Sequence, residues 1–360
     1  MAISPDVLAT ALQELMPKYS ELFTQWHPAL QRMVLKGNFQ RNVLSGPYRE
    51  FNVVTDGPGT VTHVVSGSEL VGGGRRQNAQ KGNTYAPRMI YAYDVPAKDL
   101  AEANGEMDMG QIIKSYPELA LSDFHERIAD QLVVGNGTDV GGFLTLNGDT
   151  TYSPDGTARD GVFEFAPTTG QTDTVFGLLK SGGGAGAVPG WHNQYGLITS
   201  MSGDGRRIMR REYFRAGRQG SKFDKGIDLM LGDEASYLNY LEDLDDHVRV
   251  TSVENDHVPG KVREGVKFLQ ADFFLEDAID ITAFNGGAGR NGVIYGLATG
   301  SWHAYTLGHD AKRETKGFFD TRGPFRIPDQ DAFRYELVLY MGMHCTQPRC
   351  NFVIEGGSIP

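Results

Sequence analysis

Three places in the chain hold residue types at spacings that chemistry uses. Gly287, Gly289 and Gly292 spell G-x-G-x-x-G, the pattern that lets backbone amides approach a pyrophosphate when a strand leads in and a helix N-terminus follows. Here the residues from Val293 onward have a strand pattern, so the run reads as a glycine turn. His125 and Glu126 begin H-E-x-x-H, which would set two imidazoles on one helical face for zinc, but the second ligand position is Ala129. That excludes a zinc protease centre at this place. From Asp233 to Asp246 there are six acids and no base, a composition open to a cation. The spacing lacks the EF-hand glycine and its alternating ligands, and the interleaved Tyr237, Leu241 and Leu244 fit an amphipathic helix. Neither G-x-x-x-x-G-K-[ST] nor G-x-S-x-G occurs, and the nine histidines form no ligand-spaced cluster. The two cysteines, Cys345 and Cys350, flank Pro348 and offer neither a disulfide framework nor four metal ligands. Both read as packing residues in a reducing compartment. None of these runs specifies chemistry, and no catalytic, cofactor-binding or metal-binding residue is expected.

Charge is more informative than motif. The 45 acids against 34 bases leave a net charge of −11, which favours solubility and disfavours gripping nucleic acid over the whole surface. Local patches differ. From Asp204 to Lys225 there are eight bases (Arg206, Arg207, Arg210, Arg211, Arg215, Arg218, Lys222, Lys225) against three acids. This stretch is open to three readings: a nucleic-acid helix, a solvated face, or a surface meeting an acidic one in a neighbouring subunit. The acidic run from Asp233 is its opposite in charge.

The elements that carry these patches follow from periodicity. Ser4 and Pro5 read as N-cap and N1, and Leu8, Leu12, Leu15, Tyr19, Leu22 and Trp26 recur at helical spacing, in one helix or two broken at Pro17. Segments 48–55 and 60–65 read as strands around the Asp56-Gly57-Pro58-Gly59 turn. The run 72–82 is almost devoid of apolar residues and cannot pack on a core of its own. Residues 85–95 read as a returning strand. Ser122 or Asp123 caps a helix with Leu121, Phe124, Ile128 and Leu132 on one face, stopped at Gly135. Short strands are expected at 143–146, 162–165 and 195–200, then the basic and the acidic helix, then strands at 293–299, 333–344 and 352–354. The chain shows no secretory signal, no apolar run long enough for a membrane helix and no internal repeat. At 360 residues with 46 glycines, it reads as two or three structural units rich in loops.

This order of parts, with an N-terminal arm, a long hairpin, a long helix, a mixed central region and a late strand pair, resembles the major capsid protein of tailed bacteriophages, the Hong Kong 97 fold. The resemblance is carried by 48–95 as the extended loop, 122–135 as the spine helix, Val293 to His303 as the strand leaving the axial domain, and Asp331 to Tyr340 with Pro348 and Phe352 as the closing strands. It implies an α+β fold. The arm would span 1–45 and the extended β-hairpin loop 46–96. A peripheral domain with the spine helix would take 97–170 and 309–346, and a mixed α/β axial domain 171–308 and 347–360. It also implies self-assembly into hexamers and pentamers of an icosahedral shell around double-stranded DNA, a place in the virion after assembly in the host cytoplasm, and scaffold, portal and decoration proteins as partners. DNA would be held non-specifically. On this resemblance Arg75, Arg76, Lys81 and Arg88 of the loop are expected over the acidic stretch 97–130 of an adjacent subunit. Arg206, Arg207 and Arg210 are expected to meet Asp243, Asp245 and Asp246 across a subunit boundary. An encapsulin-type nanocompartment would share the fold, and a nucleotide-binding oxidoreductase built on 287–292 is the remaining alternative.

Overall fold

Three late segments, Leu229–Gly232, Val293–Leu297 and Phe352–Glu355, are buried at every position, so both faces of the sheet they form must be covered. The computed structural model describes residues 27–43, 48–54, 79–98, 106–134, 143, 174–176, 178–179, 188, 191–221, 226–245, 252–253, 265–276, 278–279, 292–307, 320–328 and 330–356. In chain order the first elements are α1 (Pro28–Leu35), β1 (Phe39–Val43), β2 (Tyr48–Val54), β3 (Ala79–Tyr85), β4 (Arg88–Pro96) and α2 (Glu106–Val134). Next come β5 (Thr174–Val175), β6 (Leu178–Leu179), β7 (Gln194–Leu197), α3 (Arg206–Gly220), β8 (Leu229–Gly232) and α4 (Glu234–Asp245). The chain ends through β9 (Ser252–Val253), β10 (Gly265–Phe268), β11 (Ala271–Leu275), β12 (Val293–Leu297), β13 (Trp302–Leu307), β14 (Asp320–Arg326), β15 (Ala332–Cys345) and β16 (Phe352–Glu355).

The cover on the first sheet is helical on one side and shared on the other. Its seven strands run in the order β7-β16-β12-β8-β11-β10-β9, with β7 parallel to β16, β8 parallel to β11 and the other pairs antiparallel. Alternation sends Met230, Phe273, Ile294, Phe352 and Ile354 to one face, where Ile208, Met209 and Ala216 of α3 and Tyr237, Tyr240 and Leu244 of α4 close over them. The opposite set, Leu229, Leu231, Phe274, Tyr295 and Val353, joins a larger core with Leu30 and Met33 of α1 and Phe124, Ile128 and Leu132 of α2. Gly296 is required where β12 passes β16. A Cβ there would lie 2.1 Å from the Phe352 ring.

The second sheet is organised by β15. Its first nine residues pair antiparallel with β4, and its other edge pairs with β14. Its last five residues pair with β13, which in turn holds β1 in parallel. The chain enters this sheet at Trp302, ahead of the domain boundary expected after 308, because Trp302 and Ala304 are buried in the larger core. Residues 27–43, expected in the arm, pack on the core of this same chain. Ala29, Leu30 and Met33 are 0% exposed, Arg32 pairs with Asp228 and Asp272, and Lys36 Nζ lies 3.0 Å from Asp228. Segments 1–26 and 55–78, with the helix and strand expected there, lie outside the described residues, as do 144–173.

The hairpin is also differently paired. β2 runs antiparallel to β3, with Phe51 opposite Gly82 and Asn52 opposite Lys81, so 79–82, expected within an unpackable tip, are strand. Polar residues suffice there because Phe51 and Val53 of β2 supply the buried face, and Gly82 leaves room for the Phe51 ring, 2.5 Å from where a Cβ would sit. The helix expected from Ser122 starts sixteen residues earlier, at Glu106, and runs through Pro117. Proline there removes one helical N–H, that toward the Ile113 carbonyl.

Candidate functional site

Helix α3 opens from a single π-helical turn, Met201–Gly205. The Asp204 carboxylate accepts the backbone N–H groups of Thr199 and Ser200 at 3.1 Å each. Those bonds hold its pKa below the usual carboxylate range. One side of α3 packs on the seven-stranded sheet through Ile208, Met209 and Ala216. On that side sits Glu212, 0% exposed, with Arg211 Nε at 2.6 Å and Arg215 Nη1 at 3.0 Å. Burial pushes the Glu212 carboxyl up, and the two guanidiniums oppose the shift. What remains in solvent is Arg207, Arg210, Arg211 and Arg218, together with Phe214, 60% exposed.

Helix α4 is the acidic counterpart, and its first carboxylate is structural. Asp233 is buried and accepts from the Ser236 N–H at 3.2 Å, from the Ser236 hydroxyl and from the Val293 N–H at 2.9 Å. Its oxygens are taken by a helix cap and a link to β12. Among the described residues no three His, Cys, Asp or Glu side chains are placed to hold a metal ion. Asp243 binds Arg206 through Nε and, at 3.1 Å, through Nη2. Arg206 and Asp243, expected to meet across a subunit boundary, meet inside one chain. The sheet has brought α3 and α4 onto the same face, so their facing charges find each other locally. Glu234, Leu238 and Glu242 of α4 stay exposed, Leu238 at 48%.

The other expected positions are spread over the β2–β3 hairpin and β4. Lys81 Nζ lies 2.8 Å from Glu50 within the hairpin, both side chains exposed, and the pairing raises the lysine pKa. Arg88 is exposed at the start of β4 and, with Arg127, flanks a cleft of about 340 Å³ between β4 and α2 lined by Met89, Ile90, Tyr91 and Phe124. The Tyr91 hydroxyl donates to Asp123 at 2.8 Å. Arg75, Arg76 and Asp246 lie outside the described residues, and Asp245 closes α4. His125 of the H-E pair is buried, which pushes its pKa down to about 4. Gly292, at φ +86°, runs straight into β12, as expected for a glycine turn. Periodicity missed Phe214 and Leu238 as surface residues, although Phe214 stands three and four residues from Arg211 and Arg218, and Leu238 four from both Glu234 and Glu242, a spacing that marks one face.

No protein-family model matches the chain, and no curated protein sequence does. Solved structures do. The capsid asymmetric unit of cyanophage A-1(L) is similar over 89% of this chain and 92% of its own, with a TM-score of 0.52 and 11% identity. The capsid of the empty GTA particle matches over 89% and 95%, with a TM-score of 0.51 and 9% identity. The capsid of the native GTA particle matches over 89% of both chains, with a TM-score of 0.50 and 9% identity. At such identities the likeness is one of fold, and with the mixed seven-stranded sheet, the β15-centred sheet, the hairpin and the long helix α2 in that order, the chain has the Hong Kong 97 fold.

Proposed function

We propose that the chain is a major capsid protein, a non-enzymatic subunit whose copies close into hexamers and pentamers of an icosahedral shell around double-stranded DNA. The observation that carries this reading is the likeness to the cyanophage capsid subunit along 89% of the chain. The surface chemistry agrees with it: exposed clusters of opposite charge on different elements are what head-to-tail closure of identical subunits requires. The loop cations Arg75 and Arg76, with Arg88, are assigned to a neighbouring subunit's acidic stretch 97–130, Lys81 being paired with Glu50 in its own hairpin. Scaffold, portal and decoration proteins would be its partners, and the virion its place. The oxidoreductase reading loses its support, because Gly292 leads into a strand and offers no helix N-terminus to a phosphate.

Expression of the full chain and negative-stain electron microscopy test the reading. Closed shells or hexamers are expected, and a monodisperse monomer or dimer overturns it. The contents separate the two shell functions. Nuclease-protected double-stranded DNA in particles from the native source is expected, whereas shells filled with a cargo protein would assign the chain to an encapsulin-type compartment.

A further inference from the structure

We propose that the outer face of α3 in one copy docks on the outer face of α4 in a second copy, with Phe214 and Leu238 at the centre of the contact. This inference rests on the shell reading and names which surfaces meet. At about 100° per residue, Arg207, Arg211, Phe214 and Arg218 fall within one narrow stripe of α3, and Arg210 borders it. All five are exposed, and the stripe holds no acid because Glu212 is turned into the subunit. The same arithmetic applied to α4 brings Glu234, Leu238 and Glu242 together on one face, with position 245 on the same stripe, and that face carries no base. Each stripe therefore has an apolar centre, 60% exposed in Phe214 and 48% in Leu238, flanked by charge of a single sign. The two patterns are complements.

They cannot satisfy each other within one subunit. The internal contact between the helices is made by Arg206 and Asp243, and about 100° per residue puts Arg206 roughly a quarter turn round α3 from Arg207, and Asp243 more than a third of a turn round α4 from Leu238. That ion pair fixes the helices with both stripes turned outward. A second copy supplies what is missing. Two different patches that complement each other form a heterologous contact, which closes into a ring when repeated. An apolar pair shielded by a charged rim is also the usual anatomy of such a contact.

The test is cross-linking between copies. Chains carrying Phe214→Cys and chains carrying Leu238→Cys are mixed before assembly and treated with a short bis-maleimide, the native Cys345 and Cys350 being buried. The mixture is expected to give at least tenfold more dimer than either variant alone. Arg207→Glu with Arg218→Glu should lower the yield at least tenfold at low salt, and Glu234→Lys with Glu242→Lys in the partner chain should restore at least half. Arg211 is left intact because it holds Glu212. Shells that form while the mixture cross-links no better than the single variants would overturn the contact and leave the shell reading standing. Arginine reversals that leave cross-linking unchanged but empty the particles of DNA would overturn it in favour of a nucleic-acid face. A wild-type chain that forms no assembly removes the shell reading and this contact with it.

Discussion

His125 sits 4% exposed on α2, and its burial has a sign that can be worked out. Its pKa in the fold is about 4, below the ~6.5 of an exposed imidazole. Between those values the unfolded chain binds a proton that the native chain does not, so stability falls as pH drops through that window and is flat above it. His192 adds to the slope in the same direction, its pKa also about 4 through burial and the nearby Arg349 charge. Unassembled subunits are expected to lose about 2 kcal/mol at His125 between pH 7.5 and 5. Urea denaturation of the wild type and of His125→Phe checks this: the variant should show a visibly shallower pH dependence, and an unchanged slope would contradict it. Gly296 carries no side chain, and the space this leaves gives Phe352 its place. Gly296→Ala should lower stability by about 2 kcal/mol or more, read as a reduced urea midpoint at unchanged slope. The role of Glu212 was illegible in sequence, since an acid between Arg211 and Arg215 reads as ordinary surface alternation. Only the sheet beneath α3 turns it inward.

At the scale of elements, α1 and β1 act together as a clasp between the two sheets. α1 is tied to the seven-stranded sheet by Arg32 and Lys36 at Asp228 and Asp272, and by His27, whose Nε2 lies 3.2 Å from the buried Glu276. β1, three residues further on, adds to the other sheet beside β13. Leu30→Ala is accordingly expected to cost the subunit about 2–5 kcal/mol, measured by urea denaturation, whereas an arm residue would leave subunit stability unchanged and affect assembly alone. The sequence did reveal α3, α4, β12, β15 and β16, because each carries a clean period of 3.6 or an unbroken apolar run. It did not single out α1, because eight residues next to a longer amphipathic stripe look like its continuation. It missed β3 because Gln80, Lys81 and Asn83 carry no strand signal and become strand only through their pairing with β2. The first half of α2 was hidden by Pro117, a residue that usually ends a helix.

For the whole molecule, the proposed shell would have a chain of net charge −11 associate with copies of itself. Uniform like charge repels, so contact must be made where opposite signs are concentrated. On α3 and α4 those signs are visible once Arg206 and Asp243 are set aside as an internal pair. On the loop the inventory changes in the same way: Lys81 is held by Glu50 in its own hairpin, which leaves Arg75 and Arg76 as the loop cations to reach an acidic neighbour. The stretch 97–130 presents Asp123 and Glu126 in solvent on α2, one turn apart, where several charges acting together exceed the ~0–1 kcal/mol of a lone surface pair. Arg75→Glu combined with Arg76→Glu is therefore expected to leave a folded subunit, its thermal midpoint within about 2 °C of wild type, that fails to close into shells at low salt. Lys81→Ala should assemble normally, because the charge it removes is already engaged at home. Sedimentation and electron microscopy of the two variants side by side decide it: normal shells from the arginine variant, or assembly lost with Lys81→Ala alone, would move the loop contact away from these residues. Adding Asp123→Lys and Glu126→Lys to the arginine variant should then bring back part of the lost assembly, and the recovery should weaken as salt shortens the screening length to ~8 Å and below.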